Sequence, residues 1–158
     1  MAALNQLTLI GSITWVPLGK IVLAYLLTLP VGWEREREAH SAGIRTFPIV
    51  AMASCGYLLL STGDVAAQSR VLQGLIAGIG FVGGGAILKG GDTVRGTATA
   101  ASIWSTGVVG AAVAMGRYEV AVLLSVLNLL TLRVLGVFRH KIAGDGSSSQ
   151  RPPAGPGD

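Results

Sequence analysis

Few side chains in this sequence could do chemistry, and most of those sit at the edges of apolar runs. Glu34, Arg35 and Arg45 flank one boundary. Lys89, Asp92 and Arg95 interrupt a glycine-dense stretch that runs from Gly78 to Trp104. Thr97, Thr99, Ser102, Ser105 and Thr106 then place hydroxyls along an apolar segment, and Asn128 and Arg133 lie inside another. Carboxylates and hydroxyls suit a hard cation such as magnesium, which is held through one or two carboxylates while keeping waters. The same hydroxyls can instead bond back to a backbone carbonyl one turn earlier. An amide such as Asn128 within a span bonds across helices. A charge such as Arg133 calls for a partner, because a mid-membrane charge costs roughly 2.5 to 3.5 kcal/mol on insertion scales. No acidic residue lies deep within an apolar run, so the sequence suggests no carboxylate-lined path through a membrane.

An enzyme is not expected. His40 and His140 fall in loops, and no His/Cys/Asp cluster has metal-ligand spacing. There is no Gly-x-Ser-x-Gly elbow. Gly78, Gly80 and Gly83 match a dinucleotide-binding pattern by letters, but no strand precedes them.

The elements that must position these residues follow from composition. Of 158 residues, 51% are hydrophobic and 13% charged, against about a quarter charged in a soluble domain. Mean hydropathy is +0.61. The long apolar runs predict an all-α polytopic membrane protein, a bundle of about five transmembrane helices. The net charge of +4 comes from scattered basic residues that form no stripe, which argues against nucleic acid. Cys55, the single cysteine, reads as a small packing residue.

Residues 1–15 are expected to form an extracytoplasmic segment, 16–141 the membrane domain and 142–158 a disordered tail. Trp15 and Trp33 bracket the first span, about 27 Å apart as helix, and read as interface anchors. Lys20 is placed to snorkel outward, and Pro30 to kink the inner end. Glu34 has two readings: part of a solvated helix end, or a bundle-facing acid that meets Arg45 or Arg95. Further spans are expected over 46–61, 71–88, 97–115 and 120–138. The 89–95 stretch reads either as a buried functional turn or as an ordinary hairpin. Gly78, Gly80, Gly83, Gly85 and Gly96, with Trp104, predict tight packing of the third and fourth spans, since glycine lets another backbone approach. Arg35, Arg37, Arg45, Lys89, Arg95, Arg139 and Lys141 fall on one side; Lys20, Arg70 and Arg117 fall on the other. The excess places the first set in the cytoplasm, with the N-terminus outside and the C-terminus inside.

Three ordered blocks carry a family resemblance. Gly32-Trp33-Glu34-Arg35, followed by Ala42-Gly43-Ile44-Arg45-Thr46, resembles G-x-E-R … A-G-L-R-T of the MgtC/SapB family of bacterial inner-membrane proteins. Gly78-Ile79-Gly80-Phe81-Val82-Gly83-Gly84-Gly85-Ala86-Ile87 resembles G-I-G-F-L-G-A-G-x-I. Val94-Arg95-Gly96-Thr97-Ala98-Thr99-Ala100-Ala101-Ser102-Ile103-Trp104 resembles V-R-G-L-x-T-A-A-x-x-W. Arg70 and Asn128 also fit, whereas the family's glutamine is displaced here to Gln73. Longer members carry a cytoplasmic domain after the fifth helix, and only a short tail follows here.

The resemblance implies a link to magnesium limitation and an inner-membrane location. It leaves three readings open. The first is an accessory or regulatory protein acting on a membrane partner, with Glu34, Arg45, Asp92 and Arg95 as a polar cluster at its cytoplasmic face and Arg35 beside it. The second is a magnesium transporter using Glu34, Thr99 and Asn128. The third is a structural component of a larger membrane complex. No cofactor is expected apart from magnesium itself. The expected partners are the lipid bilayer, a membrane protein, and a second copy through the glycine-rich helices.

Overall fold

The computed structural model describes residues 15–37, 42–90 and 93–145, with side chains described up to Val134. Five helices follow one another: α1 (Trp15–Arg37), α2 (Thr46–Leu60), α3 (Val65–Gly85), α4 (Thr97–Ala114) and α5 (Tyr118–Asp145). Two short antiparallel strands, β1 (Leu88–Gly90) and β2 (Thr93–Arg95), lie between α3 and α4, pairing Leu88 with Arg95 and Gly90 with Thr93. Among the described residues, α1, α3 and α4 are long and apolar enough to cross a membrane, and α2 is a shorter apolar helix. The protein is an all-α membrane bundle.

The hub is α4, which touches each of the other four helices. Its sequence is small and apolar on nearly every side; from Thr106 to Val113 it is buried almost all round, while Thr97, Ala98, Ala101 and Trp104 stay exposed nearer its start. Most of α4 is buried, against about a fifth of α1 and almost none of α3. Two apolar layers stack along it. One gathers Ala24, Ala51, Cys55, Val109 and Val113; the other gathers Val31, Phe47, Ile103 and Leu132 around the end nearer the strands.

Close helix contact also occurs at glycines other than those expected. Gly110 lies so near α2 that a Cβ there would strike the Ala51 carbonyl oxygen, and Ile79 of α3 fills the space over Gly107. Of the glycine run on α3, only Gly83 is buried, with a Cβ position 3.1 Å from the Ala100 carbonyl oxygen. Gly78, Gly80 and Gly85 meet nothing within 4 Å, and Trp104 is 48% exposed. Of the predicted residues, Gly83 and Gly96 make the close approach between the third and fourth spans, Gly83 to Ala100 and Gly96 to Ala86. Most of α3 keeps its glycines on an open face because the central position belongs to α4.

The connections are built from local hydrogen bonding. Asp64 caps α3, its carboxylate accepting from the backbone N–H of Ala66 at 2.9 Å and Ala67 at 3.0 Å. At the end of α4, the N–H of Arg117 donates to the Ala112 carbonyl and that of Gly116 to Val113, a Schellman motif. Gly116 adopts φ +74°, the left-handed region that this cap requires. Beside it Arg117 pairs with Glu119 at 2.8 Å, and that hydrogen bond holds the Glu119 carboxyl below its ordinary value.

Several expectations need correction. Lys20 has a defined partner: its ammonium donates to the carbonyl of Ala114, the last residue of α4, at 2.7 Å and so caps the end of that helix. Of the 89–95 stretch, the described residues 89–90 and 93–95 are exposed strand rather than buried. α5 continues to Asp145, past the expected start of the tail at 142. Residues 1–14 and 146–158, the expected outer segment and most of the tail, lie outside the described residues.

Candidate functional site

Polar side chains collect where α1, α4 and α5 meet, toward the end of the bundle that carries the strands. α1 brings Glu34 and Arg35 there after five turns of apolar helix. Arg35 is buried at 4% exposure, which overturns the solvated-end reading for this residue. Glu34 accepts from Nε of Arg133 on α5 at 2.9 Å. The expected partners of Glu34 were Arg45 and Arg95. Both are exposed, and among the described residues neither forms an ion pair with it. The geometry explains the difference: Arg45 stands just ahead of α2 and Arg95 on the outlying β2, while α5 packs directly against α1. Asp92, the remaining acid of the predicted cluster, lies outside the described residues.

One helical stretch further along α5, Asn128 meets α4. The Ser102 hydroxyl donates to the Asn128 side-chain carbonyl at 2.9 Å, and the Asn128 amide approaches the Ser102 backbone carbonyl at 3.4 Å. The cross-helix amide bond expected from sequence is present. Ser125 adds a third tie, its hydroxyl donating to the backbone carbonyl of Leu27 on α1. α5 is thus fastened to α1 by Ser125 and Arg133 and to α4 by Asn128.

The hydroxyls of α4 divide between the two expected behaviours. Thr106 donates back to the Ser102 carbonyl at 2.8 Å. Thr99 is fully buried, and its hydroxyl has no hydrogen-bond partner among the described residues. Burying a hydroxyl without a partner costs about 1 to 3 kcal/mol on protein scales, which makes Thr99 an unusual choice for a purely structural position.

Sequence reasoning passed over Glu36 and its place beside two glycines of the family block. The Glu36 carboxylate accepts from the backbone N–H of Ile44 at 3.1 Å and occupies the space over Gly43. Gly32, one turn back on α1, lies under Ile44, where a Cβ would sit 3.0 Å from the Ile44 Cα. Together they lock the α1–α2 turn onto the end of α1. The signal was the spacing of Gly32, Glu36 and Gly43, which needs the turn's closure before it can be read. Gly96 does the same for the strands. It adopts φ +89°, and a Cβ there would strike the Ala86 carbonyl oxygen.

Chemically, this is a clasp rather than a reaction centre. Among the described residues, no three His, Cys, Asp or Glu side chains come together as metal ligands. The one acid within the bundle's polar layer is balanced by a guanidinium. The exposed cations Arg45, Lys89 and Arg95 stand on the same end, outside the clasp.

Comparison with known proteins follows the same residues. The sequence profile of the MgtC family matches residues 21–141. Protein SrpB of Synechococcus elongatus is 36% identical over 135 residues, covering 75% of this chain and 74% of that protein. The putative magnesium transporter YhiD of Escherichia coli is 32% identical over 125 residues, 73% of this chain and 58% of YhiD. Protein MgtC of Salmonella typhimurium is 32% identical over 110 residues, 69% of this chain and 48% of MgtC. The chain therefore spans only about half of MgtC and somewhat more of YhiD. No solved structure matches.

Proposed function

The chain belongs to the MgtC family, and from that premise we propose that it is an accessory or regulatory protein of the bacterial inner membrane, linked to magnesium homeostasis and acting on a membrane-protein partner. In this reading it performs no enzymatic reaction and binds no nucleic acid. The strand end faces the cytoplasm, where Arg45, Lys89 and Arg95 offer a basic surface, and the N-terminus lies outside.

The observation that carries the reading is the Glu34–Arg133 pair. A carboxylate on a cation path must be available to the ion; Glu34 instead spends its charge on Arg133. Ser102, Thr106 and Asn128 likewise spend hydrogen bonds within the bundle. The exposed basic end, with Arg45, Lys89 and Arg95, is where a partner can reach the chain.

A second reading, magnesium transport, is favoured by the buried, unpartnered hydroxyl of Thr99 and by the printed description of YhiD as a putative magnesium transporter. Magnesium would then be cargo, passing the oxygens of Thr99 and Asn128 with Glu34 released from Arg133.

Magnesium flux into proteoliposomes carrying the purified protein separates the two. The accessory reading expects no saturable flux from correctly folded, oriented protein. Saturable flux that falls in Glu34→Gln and Thr99→Val would overturn it and establish transport.

A further inference from the structure

The hairpin between α3 and α4 carries cations and exposed apolar side chains at the membrane's edge. α3 and α4 are 21 and 18 residues long, about 31 and 27 Å of helix, each close to one hydrocarbon thickness. Their adjoining ends therefore lie at the boundary of the hydrocarbon. β1 begins three residues after Gly85 closes α3, and β2 ends two residues before Thr97 opens α4. Strands of this length reach only about 10 Å. The headgroup layer on each side is about 5 to 7 Å deep, so the base of the hairpin stands within it.

The register decides which side chains stand together. Leu88 pairs with Arg95 and Lys89 with Val94. Cross-strand partners share a face, and neighbours along a strand take opposite faces. Each face thus sets one apolar side chain beside one cation. Leu88 and Val94 are both more than half exposed, which is costly in water and favourable against acyl chains. Arg45 joins them at the same end: Ala86, just before β1, packs in one apolar layer with Ala42 and Phe47, which flank Arg45. Among the described residues, no carboxylate pairs with Arg45, Lys89 or Arg95. Glu34 is held by Arg133, and Glu36 accepts from the N–H of Ile44. Asp92 is the one acid between Leu88 and Arg95, against two cations.

We infer that this hairpin, with Arg45, is a binding surface for anionic phospholipid headgroups, its cations on the phosphates and Leu88 and Val94 at the top of the acyl chains. Two observations select lipid as the occupant. The span ends hold the cations at the depth of the phosphates, where lipid is the surrounding medium. The exposed charge is positive, which complements a headgroup of net negative charge, and the arginine fork matches a phosphate. An acidic protein matches the charge but must enter the headgroup layer to reach it. The inference depends neither on whether the chain regulates a partner or carries an ion, nor on which way it is inserted.

Lipid-selective quenching of the purified full chain in vesicles tests it. In a Cys55→Ala background, Gly90→Cys takes a fluorophore where a Cβ meets nothing within 4 Å. Acyl-brominated phosphatidylglycerol and acyl-brominated phosphatidylcholine are compared, each as a minor component of phosphatidylcholine vesicles. Phosphatidylglycerol should quench several-fold more strongly. Lys89→Gln and Arg95→Gln should each lower that preference by up to about 5-fold, the effect of one cation near an anionic surface, with helix content unchanged. Raising the salt to about 0.5 M should weaken it. Leu88→Gln/Val94→Gln should reduce quenching by both lipids alike, because it withdraws the hairpin from the acyl chains without changing its charge. The same fluorophore on Ala66→Cys, at the far end of α3, should show no preference. Equal quenching by the two lipids at position 90 would overturn the inference and leave the basic end to a protein partner. So would an equal preference at position 66, a preference untouched by both neutral variants, or quenching unaffected by Leu88→Gln/Val94→Gln.

Discussion

Arg133 reaches across 99 positions of sequence to place its Nε 2.9 Å from Oε2 of Glu34, whose side chain is only 15% exposed while that of Arg133 is 53% exposed. The acid is therefore the more committed partner. Removing either side chain leaves the other charge at the edge of the bundle with its partner gone. Exposed pairs contribute about 0.2 to 1 kcal/mol, and breaking a buried pair costs about 3 to 5 kcal/mol. This half-buried pair should lie between those limits. Arg133→Leu is expected to lower stability in detergent by about 1 to 2 kcal/mol. In the double variant Glu34→Leu/Arg133→Leu much of that loss should return, because no unpaired charge is left. A loss in the double variant equal to the sum of the two single losses would show that the pair is not coupled.

The two glycine populations should behave in opposite ways. Gly110→Ala pushes a Cβ into the Ala51 carbonyl of α2, and that backbone cannot move aside. Overpacking of this kind costs about 1 to 3 kcal/mol. Gly78→Ala adds a Cβ to open space within a helix and should be neutral or stabilising by up to about 1 kcal/mol. Thermal unfolding of the two purified variants reads the contrast directly. A destabilised Gly78→Ala protein beside an unaffected Gly110→Ala protein would reverse the assignment of the hub to α4.

Lys20 is expected to matter through α4 rather than through the membrane surface. Its ammonium satisfies a terminal carbonyl and lies at the negative end of the α4 dipole. Cations at that position contribute about 0.3 to 1 kcal/mol, and more when partly buried. Lys20→Met should cost about 1 kcal/mol and increase hydrogen exchange at the amides around 114–117, whereas Lys20→Arg should retain most of the effect. Unchanged exchange in Lys20→Met would remove the capping role.

Orientation has a direct readout. In a Cys55→Ala background, a membrane-impermeant thiol reagent added to intact cells should label Ala66→Cys, in the first turn of α3, and should not label Lys89→Cys, on β1. Labelling at 89 but not at 66 would invert the proposed topology.

Much of the bundle was legible because membrane helices are announced by composition alone. Long apolar runs and bracketing tryptophans each reflect a local or one-dimensional rule, and the observed helices follow them. The need for a partner at Arg133 and for a cross-helix bond at Asn128 was equally legible, since an isolated charge or amide in hydrocarbon is costly wherever the bundle places it. The identity of the partners was not. On paper Glu34 could be paired with Arg45 or Arg95; its partner is Arg133.

By itself, then, the chain's sequence determined that this is a helical membrane protein of the MgtC family, where its helices run, and which polar groups would need company. The tertiary structure decided which helix is central and therefore everything that depends on adjacency. Because α4 takes the middle of the bundle, Gly107 and Gly110 make the close contacts while Gly78, Gly80 and Gly85 stay open. Because α5 packs against both α1 and α4, Arg133 finds Glu34 and Asn128 finds Ser102. The physical reason is that helix formation is satisfied within each segment, by backbone bonds four residues apart. Which helix lies beside which depends on how side-chain volumes fit between segments far apart in the chain, and no local pattern records that.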